Sequence, residues 1–356
     1  MSPFHAAPAA PAPVDSERAP AGGDGRAGGG DPVGTAERLR VEVAGRLSDI
    51  VGFDVAEAAP VGEPDDVYVG WFAALDARTC PTRYQWQGEE GWGFPGWSAA
   101  TAGGAIGRAS LARHLDAHEP EGYAPTPAPC PEPLAAVRAW MRAMRTVPDS
   151  AVGDWVADRV AHGDDVTLAA AAAGATRWMA GFVRVLGWPL PDRLRLLGTG
   201  RRTGDRPLRW PAARRSAVTV ASGADARIGR VRGSGDFAIV VHRPSGGEDG
   251  RVRDRAAFEA TAAALAIGIV PASVLVTAGD TGERLRVAVD TDLLHSGVEL
   301  VAGAVRHRHV ATRQGPDPTA ALPSPACRHC PVLDRCDPGR TWLAGPGRWR
   351  GGLPVL

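Results

Sequence analysis

Three of the five cysteines in the chain lie close together near its C-terminal end, where Cys327, Cys330 and Cys336 form the pattern C-x2-C-x5-C. The two-residue gap lets two thiolates leave one tight turn toward the same metal, and the five-residue gap returns a third thiolate from the next turn. Soft tetrahedral or cubane coordination then needs one more ligand, for which Cys80 and Cys130 are the remaining cysteines. The spacing therefore predicts a metal centre completed by a distant fourth ligand.

The spacing alone does not separate an iron–sulfur cluster from zinc. Zinc motifs more often pair two C-x2-C units, whereas this chain contains one. His329, His307 and His309 are alternative fourth ligands for a zinc site. A redox C-x-x-C of the thioredoxin type is disfavoured, because that motif opens a helix after a strand near the start of its fold.

Composition limits the class of protein. The 356 residues are 44% hydrophobic and 22% charged, enough to bury a core, and their formal net charge is zero. A nucleic-acid surface must therefore be local, and arginine has to form it because the chain has no lysine. We find no long apolar run or signal peptide, so we expect no membrane span and a cytoplasmic protein whose clustered thiols serve metal binding or catalysis.

The chain divides into a tail and a folded region. Residues 1–34 are rich in Ala, Pro and Gly and are predicted to be a disordered tail. Residues 35–356 form the predicted domain, which begins with a helix from about Thr35 to Val51. Its successive parts are an N-terminal cysteine segment (68–110), a helical region (111–218), an α/β core (219–304) and a cysteine-cluster segment (305–340).

The pattern of the core changes from helical to strand-like near residue 225. The segments "ARIGRVR" and "FAIVVHR" are predicted to form a β-hairpin across a Gly- and Asp-containing turn. A helix is predicted from about Asp254 to Ile267, followed by strands in "ASVLVTA" and "RLRVAVD" and a helix near Thr291. The order β-β-α-β-β-α predicts an α/β or α+β core with a mixed sheet.

A local basic surface is predicted in residues 200–215, "GRRTGDRPLRWPAARR". Arginines beside Trp210 suit phosphate contact and base stacking, although a solvated linker has the same composition. The candidate nucleic-acid residues in this loop are Arg201, Arg202, Arg209, Arg214 and Arg215, and those nearer the cysteines are Arg306, Arg308 and Arg313.

Over residues 68–340 the sequence resembles the iron–sulfur RecB-like nucleases of the PD-(D/E)XK superfamily, a branch that includes the AddB subunit and the CRISPR-associated exonucleases. Where that family has CP-x-x-F/Y, "TCPTRYQW" supplies Cys80, Pro81 and Tyr84. The resemblance implies a restriction-endonuclease-like core with a helical insertion. It also implies a 4Fe–4S cluster held by the C-terminal cysteines and Cys80, with Cys130 as a spare.

The resemblance also implies where catalytic residues belong, and this chain departs from the pattern there. The family's first-strand aspartate falls on Gly229, its second-strand acid on Val241 and its lysine on Arg243. Its helix histidine falls on Gly107 and its helix glutamine near Glu259. Mg²⁺ needs oxygen ligands, and arginine is a poor substitute for a compact ammonium group. The implied protein keeps the nuclease fold and loses the usual active site.

Three hypotheses follow. In the first, the protein is catalytically degenerate and binds DNA or supports a partner such as a helicase. In the second, it is a Mg²⁺- or Mn²⁺-dependent DNA exonuclease with relocated ligands, for which Asp236 and Glu259 are the named candidates. In the third, it is a zinc-stabilised interaction module. The remaining acidic residues that could supply relocated ligands are Asp225, Glu248 and Asp249.

Overall fold

The computed structural model describes residues 31–51, 67–89, 97–118, 130–187, 194–199, 207–209, 217–230, 237–243, 250–330 and 332–345. Residues 1–31 and 32–356 are separate units. The predicted disordered tail lies outside the described residues up to residue 30. Its last part is ordered, because the first helix begins at Pro32, three residues before the predicted start.

The first half of the described chain is mainly helical. Its elements are α1 (Pro32–Val51), β1 (Val67–Val69), α2 (Trp71–Thr79), α3 (Pro81–Glu89), α4 (Ala99–His118), α5 (Pro133–Thr146), α6 (Ala151–Ala161) and α7 (Asp165–Leu186). Sequence signals set several of these ends. Pro133 begins α5, and the Glu132 side chain accepts hydrogen bonds from the first-turn N–H groups. Helix α7 ends at Gly187, which adopts a left-handed conformation with φ of 68°.

Most of the strands lie in the second half of the described chain, together with three helices. Its elements are β2 (Leu194–Thr199), β3 (Pro207–Arg209), β4 (Ala217–Val220), β5 (Ala226–Arg230), β6 (Phe237–Arg243), α8 (Gly250–Ile267), β7 (Ser273–Ala278), β8 (Arg284–Ala288), α9 (Thr291–Gln314) and α10 (Asp337–Ala344). Between α9 and α10 the chain forms short 3-10 helices at Pro318–Ala320, Pro325–His329 and Leu333–Arg335. The predicted β-β-α-β-β-α order is confirmed as β5-β6-α8-β7-β8-α9.

The main sheet is mixed, with strand order β2-β5-β6-β7-β8. Strands β6 and β7 are parallel and joined through α8, whereas the other neighbours are antiparallel. A second sheet has the order β1-β4-β3. Strands β2, β3 and the start of β4 lie in the last part of the predicted helical region over 111–218. Pairing with β5 and β4 rather than local pattern establishes those strands.

Helices cover both faces of the main sheet. Along β6, Phe237, Ile239 and Val241 join the core built with α8 and α9. The alternate residue Val240 packs with Trp178 and Phe182 of α7 on the opposite face. The sheet is therefore a middle layer, and the protein is a mixed α+β structure.

Glycine permits a close contact between two helices of this core. A Cβ on Gly297 of α9 would collide with the Ala257 backbone carbonyl and the Thr261 hydroxyl, both on α8. Helices α8 and α9 therefore pack nearly backbone to backbone, which only glycine allows at that position.

Helices α4 to α7 form a bundle with its own core. The apolar stripe predicted on α5 is buried at Val137, Trp140, Met141 and Met144, whereas Leu134 is 39% exposed. Helix α7 is also long and apolar enough to cross a membrane, by length and composition, with a mean hydropathy of 1.2. Its buried residues contact the bundle in the first half and the sheet in the second, as expected for a core helix.

Candidate metal centre and buried carboxylates

Four cysteines line one surface pocket. Cys80 reaches it from the N-terminal segment, and Cys327, Cys330 and Cys336 reach it from the C-terminal segment. All four are free thiols. Cys130 lies apart and exposed, with its Sγ 3.9 Å from the Pro131 carbonyl oxygen. The structure thus joins the C-terminal trio with Cys80 and not with Cys130.

The four thiols line the same pocket, but they do not surround one common point. Among the described residues, no group of three or more His, Cys, Asp or Glu side chains is arranged to hold a single metal ion. His307 and His309 lie in α9 and are not among the described residues that line the pocket. The side chain of His329 is outside the described part. The donor set that faces the pocket therefore consists of thiols.

Helix geometry places Cys80. Its N–H donates to the Asp76 carbonyl at 2.9 Å, which ends α2, and its own carbonyl accepts from Tyr84 N–H at 3.2 Å, which starts α3. Pro81 occupies the first position of α3, where its missing N–H costs no helical hydrogen bond. The Cys80 thiol consequently sits between the end of α2 and the first turn of α3.

A pair of hydrogen bonds brings α3 to the C-terminal segment. The buried Thr82 hydroxyl donates to the Asp317 carbonyl at 2.7 Å, and Asp317 N–H donates to the Gln85 side-chain oxygen at 2.8 Å. Nearby, Tyr84 is fully buried, and the guanidinium carbon of Arg308 lies 5.0 Å from its ring centre. Burial raises the pKa of Tyr84. These contacts fix the first turn of α3, and with it Cys80.

Tight turns hold the other three cysteines. Cys330 N–H donates to the Cys327 carbonyl at 3.0 Å, and Cys336 N–H donates to the Leu333 carbonyl at 3.0 Å. Ser324 N–H donates to the Cys327 Sγ at 3.3 Å. The C-x2-C-x5-C spacing is therefore realised as successive 3-10 turns that present sulfur to one side.

A glycine leaves room beside the sulfurs. A Cβ on Gly339 of α10 would lie 3.2 Å from the Cys336 Sγ and 3.7 Å from the Cys327 Sγ. A side chain there would fill the space that a bound inorganic group needs. The glycine and the thiolate donor set both fit a thiolate-ligated centre, and four cysteines are the usual ligands of a 4Fe–4S cluster.

A positively charged side chain, Arg83, lies in the pocket beside the thiols. Burial raises the pKa of Cys330, the positive charge of Arg83 lowers it, and negative charge on Cys80 and Cys327 raises it further. Arg83 also forms an ion pair with Asp76. The Arg83 guanidinium thus offsets part of the negative charge that several thiolates would bring together.

The strand register separates two positions that the resemblance assigned to one active site. Gly229 on β5 is opposite Phe237, four residues before Val241 on β6. At about 3.3 Å per residue, Val241 is roughly 13 Å farther along the strand. Asp225 is the acidic residue beside Val241, because its N–H donates to the Val240 carbonyl at 2.8 Å.

Asp225 and Glu259 are buried carboxylates in contact with arginines. Asp225 accepts from Arg108 Nε at 2.6 Å through one oxygen and from His242 N–H at 2.6 Å through the other. The oxygen Oε1 of Glu259 lies 2.7 Å from Arg255 Nη2, an ion pair without hydrogen-bond alignment. Each carboxylate therefore already has a positive partner.

The second oxygen of Glu259 is also engaged. It accepts from the Ser222 hydroxyl and from Gly223 N–H, both at 2.8 Å. Burial raises the pKa of Glu259, whereas Arg255 and these donors lower it. The side chain consequently anchors the segment that leads into Asp225 and β5.

His242 is buried beside these groups. Its Nδ1 lies 2.8 Å from the Thr277 hydroxyl, and its ring meets Trp178 and Phe182 edge-on, with centre distances of 5.1 and 5.6 Å. Burial lowers its pKa, Asp225 raises it, and Arg108 and Arg184 lower it. The environment favours the neutral imidazole.

Several predicted residues lie outside the described part of the chain: Asp236, Glu248, Asp249, Arg201, Arg202, Trp210, Arg214 and Arg215. The backbone of Arg209 is in β3 and that of Arg313 in α9, but their side chains are not described. Arg306 and Arg308 lie in α9.

Sequence reasoning included Asp225 only as one of several relocated candidates. Its position immediately before a β-branched strand was a usable signal, but only the register shows that it adjoins Val241. In comparisons with known proteins, the chain matches no family model and no curated protein.

Proposed function

We propose that the chain is an iron–sulfur protein with a nuclease-like fold that has lost phosphodiester cleavage. It would bind DNA or support a partner, such as a helicase, in DNA processing. The observation that carries the proposal is the convergence of Cys80, Cys327, Cys330 and Cys336 on one pocket. That convergence agrees with the upstream and C-terminal cysteine pattern from which the resemblance was drawn.

A cluster in this pocket would act as a structural cross-link. A 4Fe–4S group supplies four metal–thiolate bonds that join α3 to the C-terminal turns. Closing so long a loop reduces the entropy of the unfolded chain, and binding free energy adds to folding free energy. Gly339 provides the space, Ser324 N–H contacts one sulfur, and Arg83 offsets charge.

The contacts of Asp225 and Glu259 support the loss of cleavage. Mg²⁺ is held in proteins mainly through carboxylate and carbonyl oxygens. Here the four carboxylate oxygens contact guanidinium groups, backbone N–H groups or a hydroxyl. A divalent cation would have to displace Arg108 or Arg255 before it could bind.

The metal centre is tested on protein purified without oxygen. We expect a brown protein that contains iron and sulfide and absorbs near ~400 nm, as thiolate-bound iron does. Cys80→Ser should lose this absorption, whereas the matched control Cys130→Ser should keep it. A colourless protein that contains only zinc would instead support a zinc-stabilised module and overturn the iron–sulfur proposal.

Cleavage and DNA binding are tested on the same cluster-loaded protein. We expect no cleavage of single- or double-stranded DNA with Mg²⁺ or Mn²⁺, and a gel shift that weakens as salt rises. Metal-dependent cleavage that disappears in Glu259→Ala or Asp236→Ala would establish the relocated-ligand nuclease instead.

A further inference from the structure

Among the described residues, more arginines than carboxylates lie at the carboxyl end of β6. Arg108 is paired with Asp225 and Arg255 with Glu259. Arg243, the last residue of β6, follows His242, whose N–H donates to Asp225. Since each of these two carboxylates already has its own guanidinium partner, the charge of Arg243 is in excess within the described part of the chain.

The position of Arg243 on β6 determines which face of the sheet carries this positive charge. Side chains alternate along a strand, so Arg243 continues the face of Ile239 and Val241, which is the face that packs against α8. Its side chain is half-buried, and its Nε is shielded from solvent with no hydrogen-bond partner in the described part of the chain. No carboxylate of the described residues lies within ion-pair distance of it. A desolvated guanidinium of this kind gains most from an anionic ligand.

The arginines differ in their exposure to solvent. Arg108 is 51% exposed although it is ion-paired, whereas the side chain of Arg255 is 14% exposed. Gly223 is exposed, and a Cβ there would lie 2.8 Å from Arg255 Nη2. Any other residue at this position would therefore cover Arg255 further.

We propose that Arg108, Arg243 and Arg255 form a binding site for the phosphodiester backbone of a nucleic acid at the carboxyl end of β6. Guanidinium groups present paired N–H donors that match phosphate oxygens, and they keep their charge when partly buried. Burial lowers the pKa of Arg255, Glu259 and Asp225 raise it, and the positive charges of Arg108 and Arg243 lower it again. An anion bound beside the three arginines would reduce their mutual repulsion. The site rests on the DNA binding proposed above and locates it at residues outside the 200–215 loop.

Arg243→Gln is the decisive variant because it leaves no carboxylate of the described residues without its ion-pair partner. Binding of fluorescein-labelled single-stranded and duplex oligonucleotides is measured by anisotropy across a salt series, using cluster-loaded full-length protein. We expect weaker binding that does not depend on base sequence, and a slope of log K against log salt that is reduced by about 1. Arg142→Gln, which changes an exposed arginine on α5, is the matched control and should bind as the wild type does.

Two further variants address folding and charge. Arg243→Lys should recover part of the affinity, because charge returns without the planar pair of donors. The double variant Arg108→Gln/Asp225→Asn removes an ion pair as a unit and should weaken binding while the circular dichroism spectrum stays native. Loss of affinity in Arg243→Gln with recovery in Arg243→Lys supports the site.

The outcomes separate this site from the proposed function. Wild-type binding with an unchanged affinity and salt slope in Arg243→Gln would overturn the site and leave DNA binding intact. A cluster-loaded wild type that binds neither oligonucleotide would overturn both. Complete displacement of the oligonucleotide by inorganic phosphate at equal phosphate concentration would show a small-anion site and overturn the assignment to nucleic acid.

Discussion

The hydroxyl of Thr82 donates a 2.7 Å hydrogen bond to the backbone carbonyl of Asp317, across 235 residues of sequence. Gln85, one turn later on α3, accepts from the N–H of the same residue at 2.8 Å. The backbone carbonyl and the backbone N–H of Asp317 are thus both hydrogen-bonded to side chains of α3. This pairing brings Cys80, at the start of α3, to the segment that carries the other three cysteines.

Thr82→Val tests this pairing. Valine keeps the shape but leaves the Asp317 carbonyl without its donor, so we expect a loss of about 1–3 kcal/mol in the free energy of unfolding. Urea unfolding measures it, and iron retention should fall in parallel. Thr176→Val removes a hydroxyl whose bond to the Ala172 carbonyl stays within α7, and it should cost less. Equal losses in both variants would argue against a special role for Thr82.

Gly339 is expected to control the capacity of the cysteine pocket. The methyl of Gly339→Ala would lie 3.2 Å from the Cys336 Sγ and 3.3 Å from the Leu333 Cδ1, and the larger Gly339→Val would extend farther. Metal content per chain should therefore fall in the order glycine, alanine, valine. Gly303→Ala, whose Cβ meets nothing within 4 Å on α9, serves as the control. Full metal content in Gly339→Val would contradict the pocket assignment.

The Arg108–Asp225 ion pair is expected to contribute to the free energy of unfolding. Arg108→Gln leaves a carboxylate that is only 1% exposed without its cation and should cost about 2 kcal/mol, less than a fully buried pair because Arg108 is half exposed. In Arg108→Gln/Asp225→Asn the loss should be smaller than the sum of the single losses, by about 1 kcal/mol. Urea unfolding of the four proteins gives this coupling energy. Strict additivity would show that the contact contributes nothing.

Acid should destabilise the protein through His242. Burial holds the pKa of its imidazole below the ordinary 6.5, against the attraction of Asp225 and with the repulsion of Arg108 and Arg184. As pH falls through 6.5, the unfolded chain binds the proton first, so this contribution to stability is present above pH 6.5 and is lost progressively below it. Unfolding free energies between pH 7.5 and 5.5 measure the effect. His242→Asn should flatten the curve in that window, and an unchanged slope would assign the effect to another group.

The α/β core was predictable because its signals are local. The apolar and β-branched residues of "ARIGRVR" and "FAIVVHR" and the helical pattern before Ile267 predict β5, β6 and α8 without tertiary information. Strands β2, β3 and β4 were not predicted. Strand β4 pairs with the distant β1 and β2 pairs with β5, whereas β3 has only three residues and pairs with β4. Helix α1 began earlier than predicted, since Pro32 is well tolerated in a first turn.

Of the candidate site, only the cysteines were predictable, because both their chemistry and their spacing indicate metal binding. The resemblance of "TCPTRYQW" to the family's CP-x-x-F/Y motif favoured Cys80 over Cys130, and Cys80 lines the pocket. The positions expected for catalysis were assigned by counting along strands, which carries no information about register. Only pairing shows that Gly229 and Val241 are far apart and that Asp225 adjoins Val241. The arginines that contact the two carboxylates come from α4 and α8, and no sequence motif joins those helices.

The hydrogen bonds of Asp317 also determine when the pocket can exist during synthesis. Cys80 and its helix leave the ribosome before Asp317, the three later cysteines and Gly339 are translated. The pocket therefore cannot assemble on a nascent chain that is still short of residue 339. Whatever group occupies it is acquired after the chain has been made as far as Gly339, so its presence is a check on translation through this segment.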